Sequence, residues 1–154
     1  MNKWPILLYI LLLTLSACAP APERIDWTPM DPALMKQQET RQPILFYFYA
    51  TGTMYCEMMA RSTFLDDCVV DLVNRNYIPV RVHLNQRATR DLPSGRRLAE
   101  AFQIKSVPAL VVVDADHRAV DTRIGFVTAR AACEFLETNI NPLVLPAEPE
   151  AGQP

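Results

Sequence analysis

Histidine is scarce in this chain, and clusters of basic residues are absent from its sequence. The 154 residues include only two histidines, His83 and His117, which are far apart and have no cysteine beside them at metal-ligand spacing. The sequence therefore predicts no zinc site, and no motif in it indicates a cofactor. The formal net charge is only −2, and no arginine-rich segment occurs. The composition thus argues against nucleic acid as a partner.

The chain also lacks an apolar run long enough to span a bilayer. Lys3 is followed by a short apolar stretch from Trp4 to Leu15, whereas a transmembrane helix needs about 20 apolar residues. A positive charge, a short apolar stretch and then small residues are typical of a leader peptide. An uncleaved anchor and an ordinary signal peptide both fit this pattern.

The residues at the end of this stretch, Leu15-Ser16-Ala17-Cys18, resemble a bacterial lipobox. The resemblance predicts that residues 1–17 are a lipoprotein signal peptide and that Cys18 is lipidated and becomes the mature N-terminus. It implies an anchor on the periplasmic side of a bacterial membrane. Ala19, rather than an aspartate, directly follows this cysteine, which favours an anchor in the outer membrane.

The remaining length predicts one domain. Residues 18–30 are interpreted as a tether in which Trp27 is a candidate docking residue, 31–140 as the folded domain, and 141–154 as a disordered, proline-rich tail. No internal repeat occurs.

Within the folded region, helices and strands are predicted to alternate. Helices are predicted over 31–40, from Cys56 onward, from Asp66 or Asp67 to 74, over 94–102 and over 128–140, and strands over 44–50, 77–84, 109–113 and 118–124. Strand 44–50 is apolar at nearly every position, which indicates a central strand covered on both faces. Pro79 cannot donate to a ladder, which favours an edge position for its strand. The order predicts an α/β fold with a central mixed sheet of four or five strands flanked by helices.

Three separated segments resemble the thioredoxin-like superfamily. Residues 44–56 run from an apolar strand through a short loop to Cys56, the place where thioredoxins carry Trp-Cys-x-x-Cys. Residues 103–110 are similar to the turn and cis-proline strand of thioredoxins, and 123–126 to the glycine turn beside their groove. The helix over 56–66 looks most like that of the periplasmic C-terminal domain of the DsbD disulfide reductase and its single-domain relatives. The resemblance covers about residues 27–140 and implies a thioredoxin-like fold with Pro108 in the cis form.

The same resemblance implies that the redox motif is degenerate. Gly52 stands at the tryptophan position, Thr53 at the attacking cysteine and Tyr47 at a buried acid, so that only the second cysteine, Cys56, is kept. Disulfide exchange starts from a thiolate, whereas the hydroxyl of Thr53 stays protonated and is expected to cap the helix. Three such changes together predict a loss of efficient turnover.

Three cysteines remain once Cys18 is assigned to lipid. Cys56 is either a buried structural cysteine or a slow monothiol that forms mixed disulfides, so whether the chain is an enzyme stays open. A bridge between Cys56 and Cys68 would require the chain to fold back sharply. Cys133 is expected to serve packing, and His83 is expected on a solvated strand face. Because the number of remaining cysteines is odd, at least one thiol is unpaired or paired with another molecule.

The superfamily resemblance also implies a peptide groove that pairs with an extended segment by strand addition. Its expected residues are Gly52, Thr53, Tyr55, Cys56, Val107, Pro108, Gly125 and Phe126. The leading hypothesis is a membrane-anchored periplasmic protein that binds or assists exported client proteins. The alternatives are a thiol–disulfide oxidoreductase using Cys56, with a partner thiol in trans, and a structural subunit of an envelope complex.

Overall fold

The computed structural model describes residues 23–85, 87 and 93–144. The predictions for the signal peptide and for Cys18 lie outside the described residues. The predicted tail began at residue 141, but the last helix continues to Val144, and the remainder of the tail also lies outside the described residues. The elements are α1 (Met30–Thr40), β1 (Ile44–Tyr49), α2 (Met54–Arg61), a 3-10 turn (Thr63–Leu65), α3 (Asp67–Asn76), β2 (Ile78–His83), α4 (Gly95–Ala101), β3 (Ala109–Val113), β4 (Ala119–Ile124) and α5 (Ala129–Val144). Within these ranges no helix combines the length and the apolar character that crossing a membrane would require.

The four strands form one mixed sheet in the order β2-β1-β3-β4. β1 pairs in parallel with β2, and its register sets Tyr47 opposite Arg81 and Tyr49 opposite His83. β3 is antiparallel to both β1 and β4. The predicted α/β class and the mixed sheet of four or five strands are confirmed, with four strands among the described residues. Pro79 lies in an edge strand, as its missing N–H favours.

Helices cover both faces of the sheet, and β1 contributes alternate side chains to two apolar clusters. Leu45 and Tyr47 pack with α2, α3 and α5, whereas Ile44, Phe46 and Phe48 pack with α1 and α4. Each such side chain stabilises the fold by about 1.5–3 kcal/mol when fully buried. This two-sided burial explains why the strand is apolar at almost every position.

Part of the segment interpreted as a tether is packed against the domain. The side chain of Ile25 is 3% exposed, and the N–H of Thr28 donates to the carbonyl oxygen of Pro79 at 2.8 Å. The indole of Trp27 meets the ring of Phe64 edge-on at 5.4 Å and lies 5.9 Å from the ring of Tyr47. The partly buried ring of Trp27 thus packs on the core beside β1, and its role as a docking residue stays a prediction.

Candidate functional site

The site lies where β1 ends and α2 begins. Thr53 is the N-cap of α2, with extended backbone (φ −96°, ψ 115°), and its carbonyl oxygen accepts from the N–H of Glu57 at 3.1 Å. Its side chain makes no capping hydrogen bond, so the prediction of a hydroxyl cap was wrong. The main-chain carbonyl closes this turn instead, and the first N–H groups of α2, which have no partner within a helix, face the site without a side-chain cap.

Gly52, at the position of the family tryptophan, precedes this cap. Its φ is 75°, and among the described residues no atom beyond its two chain neighbours lies within 4 Å of the place where a Cβ would stand. The left-handed backbone, rather than a lack of space, therefore favours glycine here.

Cys56 sits in the first turn of α2 and is 4% exposed. Above it, the buried hydroxyl of Tyr47 donates to the carbonyl oxygen of Cys56 at 3.3 Å. Burial raises the pKa of Tyr47 far above its ordinary value, and the neighbouring Cys56 raises it further. The phenol is thus neutral and acts as a donor, so it cannot accept the proton of the cysteine as a carboxylate would.

His83 holds the loop before α2, a role that no local pattern in the sequence indicates. Its ring packs edge-on against Tyr49 at 5.0 Å, and its Nε2 lies 2.8 Å from the Oγ1 of Thr51. The N–H of Asn85 donates to its Nδ1 at 3.0 Å. The side chain is half-buried, so the expectation of a solvated face was wrong, because the ring lies over Tyr49, its partner in the parallel register.

The groove residues expected on the other side of the site also come together. The Val107–Pro108 peptide bond is cis, and the carbonyl oxygen of Pro108 accepts from the N–H of Gly125 at 2.8 Å. The rings of Tyr55 and Phe126 are 6.3 Å apart, which joins the start of α2 to the glycine turn. Within the described part of the chain, Val107 makes no main-chain hydrogen bond. Its N–H and C=O are therefore free to pair with an added strand.

Apolar surface surrounds this groove. Met54, Tyr55 and Met58 on α2 are 64%, 49% and 41% exposed, whereas Met59 is fully buried as expected of a core residue. Next to Cys56 a cleft of about 710 Å³ opens, within the range of small-ligand pockets. Its walls include the side chains of Trp27, Tyr47, Tyr49, Phe64, Arg61 and Arg81.

The sequence left the pairing of the other two cysteines open, and the structure pairs them with each other. Cys68 on α3 and Cys133 on α5 form a disulfide with their Cα atoms 6.1 Å apart. Of the described cysteines, Cys56 is the free one. Cys133, which was expected to serve packing, is thus also a disulfide partner, and Cys56 does not pair with Cys68. The two helices pack side by side, but their cysteines are 65 residues apart in sequence, a separation from which no pairing can be deduced.

With this geometry in view, the chain can be placed in a family. Residues 30–139 match the model of the thioredoxin-like domain, and the chain belongs to that family. Among solved structures it is similar to the oxidised C-terminal domain of DsbD from Neisseria meningitidis, with 23% identity and a TM-score of 0.59 over 71% of this chain and 90% of that one. It is also similar to a thioredoxin from Thermus thermophilus, with 20% identity and a TM-score of 0.66 over 79% and 91% of the two chains. A disulphide isomerase from Xylella fastidiosa shows 20% identity and a TM-score of 0.55 over 71% and 86%.

No curated protein matches the chain significantly. The structural likenesses confirm the resemblance to DsbD-type domains at the level of the fold, which is the fold of thioredoxin-like disulfide oxidoreductases. Activity has to be argued from the site itself, since one fold hosts many functions.

Proposed function

We propose that this chain is a lipid-anchored, thioredoxin-like protein of the bacterial periplasm that binds extended segments of exported proteins without efficient oxidoreductase turnover. One contrast carries the proposal: the groove of the fold is kept, while the groups that would perform disulfide exchange are missing. An anchor in the outer membrane, favoured by Ala19, belongs to the same proposal.

Loss of turnover rests on the chemistry of three positions. Reduction of a disulfide requires a thiolate to attack one sulfur and a second thiol to release the mixed disulfide. Thr53 has no thiol, and the neutral phenol of Tyr47 cannot take a proton. Cys56, which remains, is 4% exposed, whereas reactive cysteines are usually partly exposed.

Binding rests on groups that remain accessible. The free main-chain groups of Val107 can pair with an extended segment, as in other cases of strand addition. Tyr55 and Met58 present apolar surface beside this position. Methionine and aromatic side chains at an exposed site adapt to different apolar partners, which suits a protein that binds many unfolded segments.

The anchor can be tested by metabolic labelling with radioactive palmitate. Cys18→Ala is expected to abolish the label and to release the protein from the membrane pellet or leave an uncleaved precursor, because a single thiol carries the lipid. Cys56→Ala serves as the matched control and should keep the label. Palmitate found on the Cys18→Ala protein would contradict the anchor.

Client binding can be measured with a fluorescent insulin B chain whose cysteines are carboxymethylated, so that no thiol exchange can occur. In the full chain, Tyr55→Ala combined with Met58→Glu should raise the dissociation constant about tenfold, since an apolar anchor in an interface contributes on the order of 1–2 kcal/mol. Met35→Glu, which changes a methionine on α1 that is 63% exposed, is the control and should leave binding unchanged.

Three results would contradict the proposal in different ways. Equal weakening by both variants would mean that the peptide binds through general surface charge rather than the groove. No binding by the wild type would favour a structural role in an envelope complex. Rapid reduction of intact insulin by the wild type would favour an oxidoreductase that uses Cys56.

A further inference from the structure

A cluster of three metal-ligating side chains lies outside the groove, at the junction of α3 and α5. The cluster consists of Asp66, Cys68 and Cys133, whose ligand atoms all lie within 4.8 Å of one another. Asp66 is the N-cap of α3, and its Oδ1 accepts from the N–H of Cys68 at 3.0 Å and from that of Val69 at 3.4 Å. The carboxylate is therefore held in place by the helix end.

One separation in this cluster is close to what a four-coordinate cation requires, whereas the two sulfurs are bonded to each other and could bind a cation only after reduction. Zinc binds thiolate sulfur at about 2.3 Å and carboxylate oxygen at about 2.0–2.2 Å. Two ligands of one tetrahedral ion consequently stand roughly 3.5–3.8 Å apart, as these bond lengths require. The Sγ of Cys133 lies 3.9 Å from the Oδ1 of Asp66, so this pair is already near the required separation.

The disulfide and a metal ion exclude each other, because each sulfur must be a thiolate to bind the metal. Reduction by a dithiol breaks the bond between the two Sγ atoms. Two electrons and two protons pass to the sulfurs of Cys68 and Cys133, and the dithiol becomes a disulfide. When a divalent cation binds, both thiols release their protons to solvent.

We propose that the reduced form of this chain binds one zinc ion through the thiolates of Cys68 and Cys133 and the carboxylate of Asp66. Cys68 is exposed, so the fourth position is open to water, as in other sites with three protein ligands. The site is empty of metal whenever the disulfide is closed, which makes metal binding depend on the redox state. This inference is independent of the groove and of the proposed client binding.

The test uses the full chain carrying Cys18→Ser, so that its thiols are those of Cys56 and of the bridge. The protein is reduced, freed of reductant under argon and titrated with Co²⁺, which reports thiolate ligation by a near-ultraviolet charge-transfer band. We expect one equivalent of Co²⁺ to bind to the reduced protein, zinc to displace it, and the oxidised protein to show no band. Cys56→Ser should behave like its parent, whereas Cys68→Ser and Cys133→Ser should lose the band.

The role of the carboxylate is tested by a matched pair of neighbouring substitutions. Asp66→Asn keeps an effective N-cap but removes the charged ligand, and it should raise the dissociation constant for Co²⁺ at least about tenfold. Asp67→Asn changes the next residue, an exposed acid outside the cluster, and should leave the constant unchanged.

Several outcomes would overturn the proposal. One is that the reduced parent shows no charge-transfer band with Co²⁺, and another is that the band is lost in Cys56→Ser. A third is that Asp66→Asn and Asp67→Asn change the dissociation constant equally. A fourth is that only half an equivalent of metal binds per chain. The last would show that the ion joins two molecules.

Discussion

Removal of the Cys68–Cys133 disulfide is expected to lower the free energy of unfolding by about 4 kcal/mol. The bridge joins residues 65 apart in sequence, and the chain-entropy cost of opening such a loop grows with the logarithm of its length. A domain of this size is stable by only about 5–15 kcal/mol. The bridge therefore accounts for a large share of the total, although it lies outside the groove.

Urea unfolding followed by far-ultraviolet circular dichroism provides the measurement. The double variant Cys68→Ala/Cys133→Ala should unfold at a lower urea concentration than the oxidised wild type, and reduction should shift the wild type toward the variant. EDTA is included so that no metal ion replaces the bridge. The double variant serves as its own control, since adding a reductant to it should change nothing. Equal midpoints for the oxidised and reduced wild type would contradict the prediction.

The parts of the fold that the sequence predicts are those with local signals. The continuous apolar run of β1 indicates burial on both faces, and Pro79 indicates an edge, because each property follows from the residues of one segment. The groove residues could be named in advance because three short motifs carry them. Their resemblance to one family then supplied the three-dimensional order.

The features that the sequence did not predict depend on contacts between distant segments of the chain. The bridge joins two helices whose neighbourhood is visible only after the sheet is assembled. The half-buried position of His83 follows from its register beside Tyr49 and Thr51, not from the alternating pattern of its own strand. The packing of Trp27 on Phe64 likewise requires the N-terminal segment to lie along the outer edge of β2.

The substitution Thr53→Cys is expected to give a measurable disulfide reductase, starting from a wild type for which we propose no efficient turnover. Thr53 and Cys56 occupy the N-cap and third helical positions of α2, whose side chains face each other at a helix start. A thiol at position 53 would lie at the helix N-terminus, where the dipole and the uncapped N–H groups lower a thiol pKa. Cys56 would then be placed to release the mixed disulfide.

The assay is the reduction of insulin by dithiothreitol, followed as turbidity. Wild type should remain at the uncatalysed rate, and Thr53→Cys should rise clearly above it. Thr51→Cys is the matched control: it adds a thiol to the same loop, but outside the N-cap position, and should give no increase. Mass spectrometry after oxidation should show a bond between positions 53 and 56.

Recovery should remain incomplete, because Tyr47 keeps its proton. A positioned general base contributes on the order of 10²–10⁴-fold to a proton-transfer step, so the rate of Thr53→Cys should stay about 100-fold or more below that of a complete site. Adding Tyr47→Asp should raise this rate, provided that urea unfolding shows that the strand tolerates a buried carboxylate.

A Thr53→Cys protein that forms no bond with Cys56 under oxidation would show that the two side chains do not face each other. Reduction of insulin by the wild type at a thioredoxin-like rate would instead show that Cys56 is itself the nucleophile. It would then need neither a thiol at position 53 nor a carboxylate at position 47.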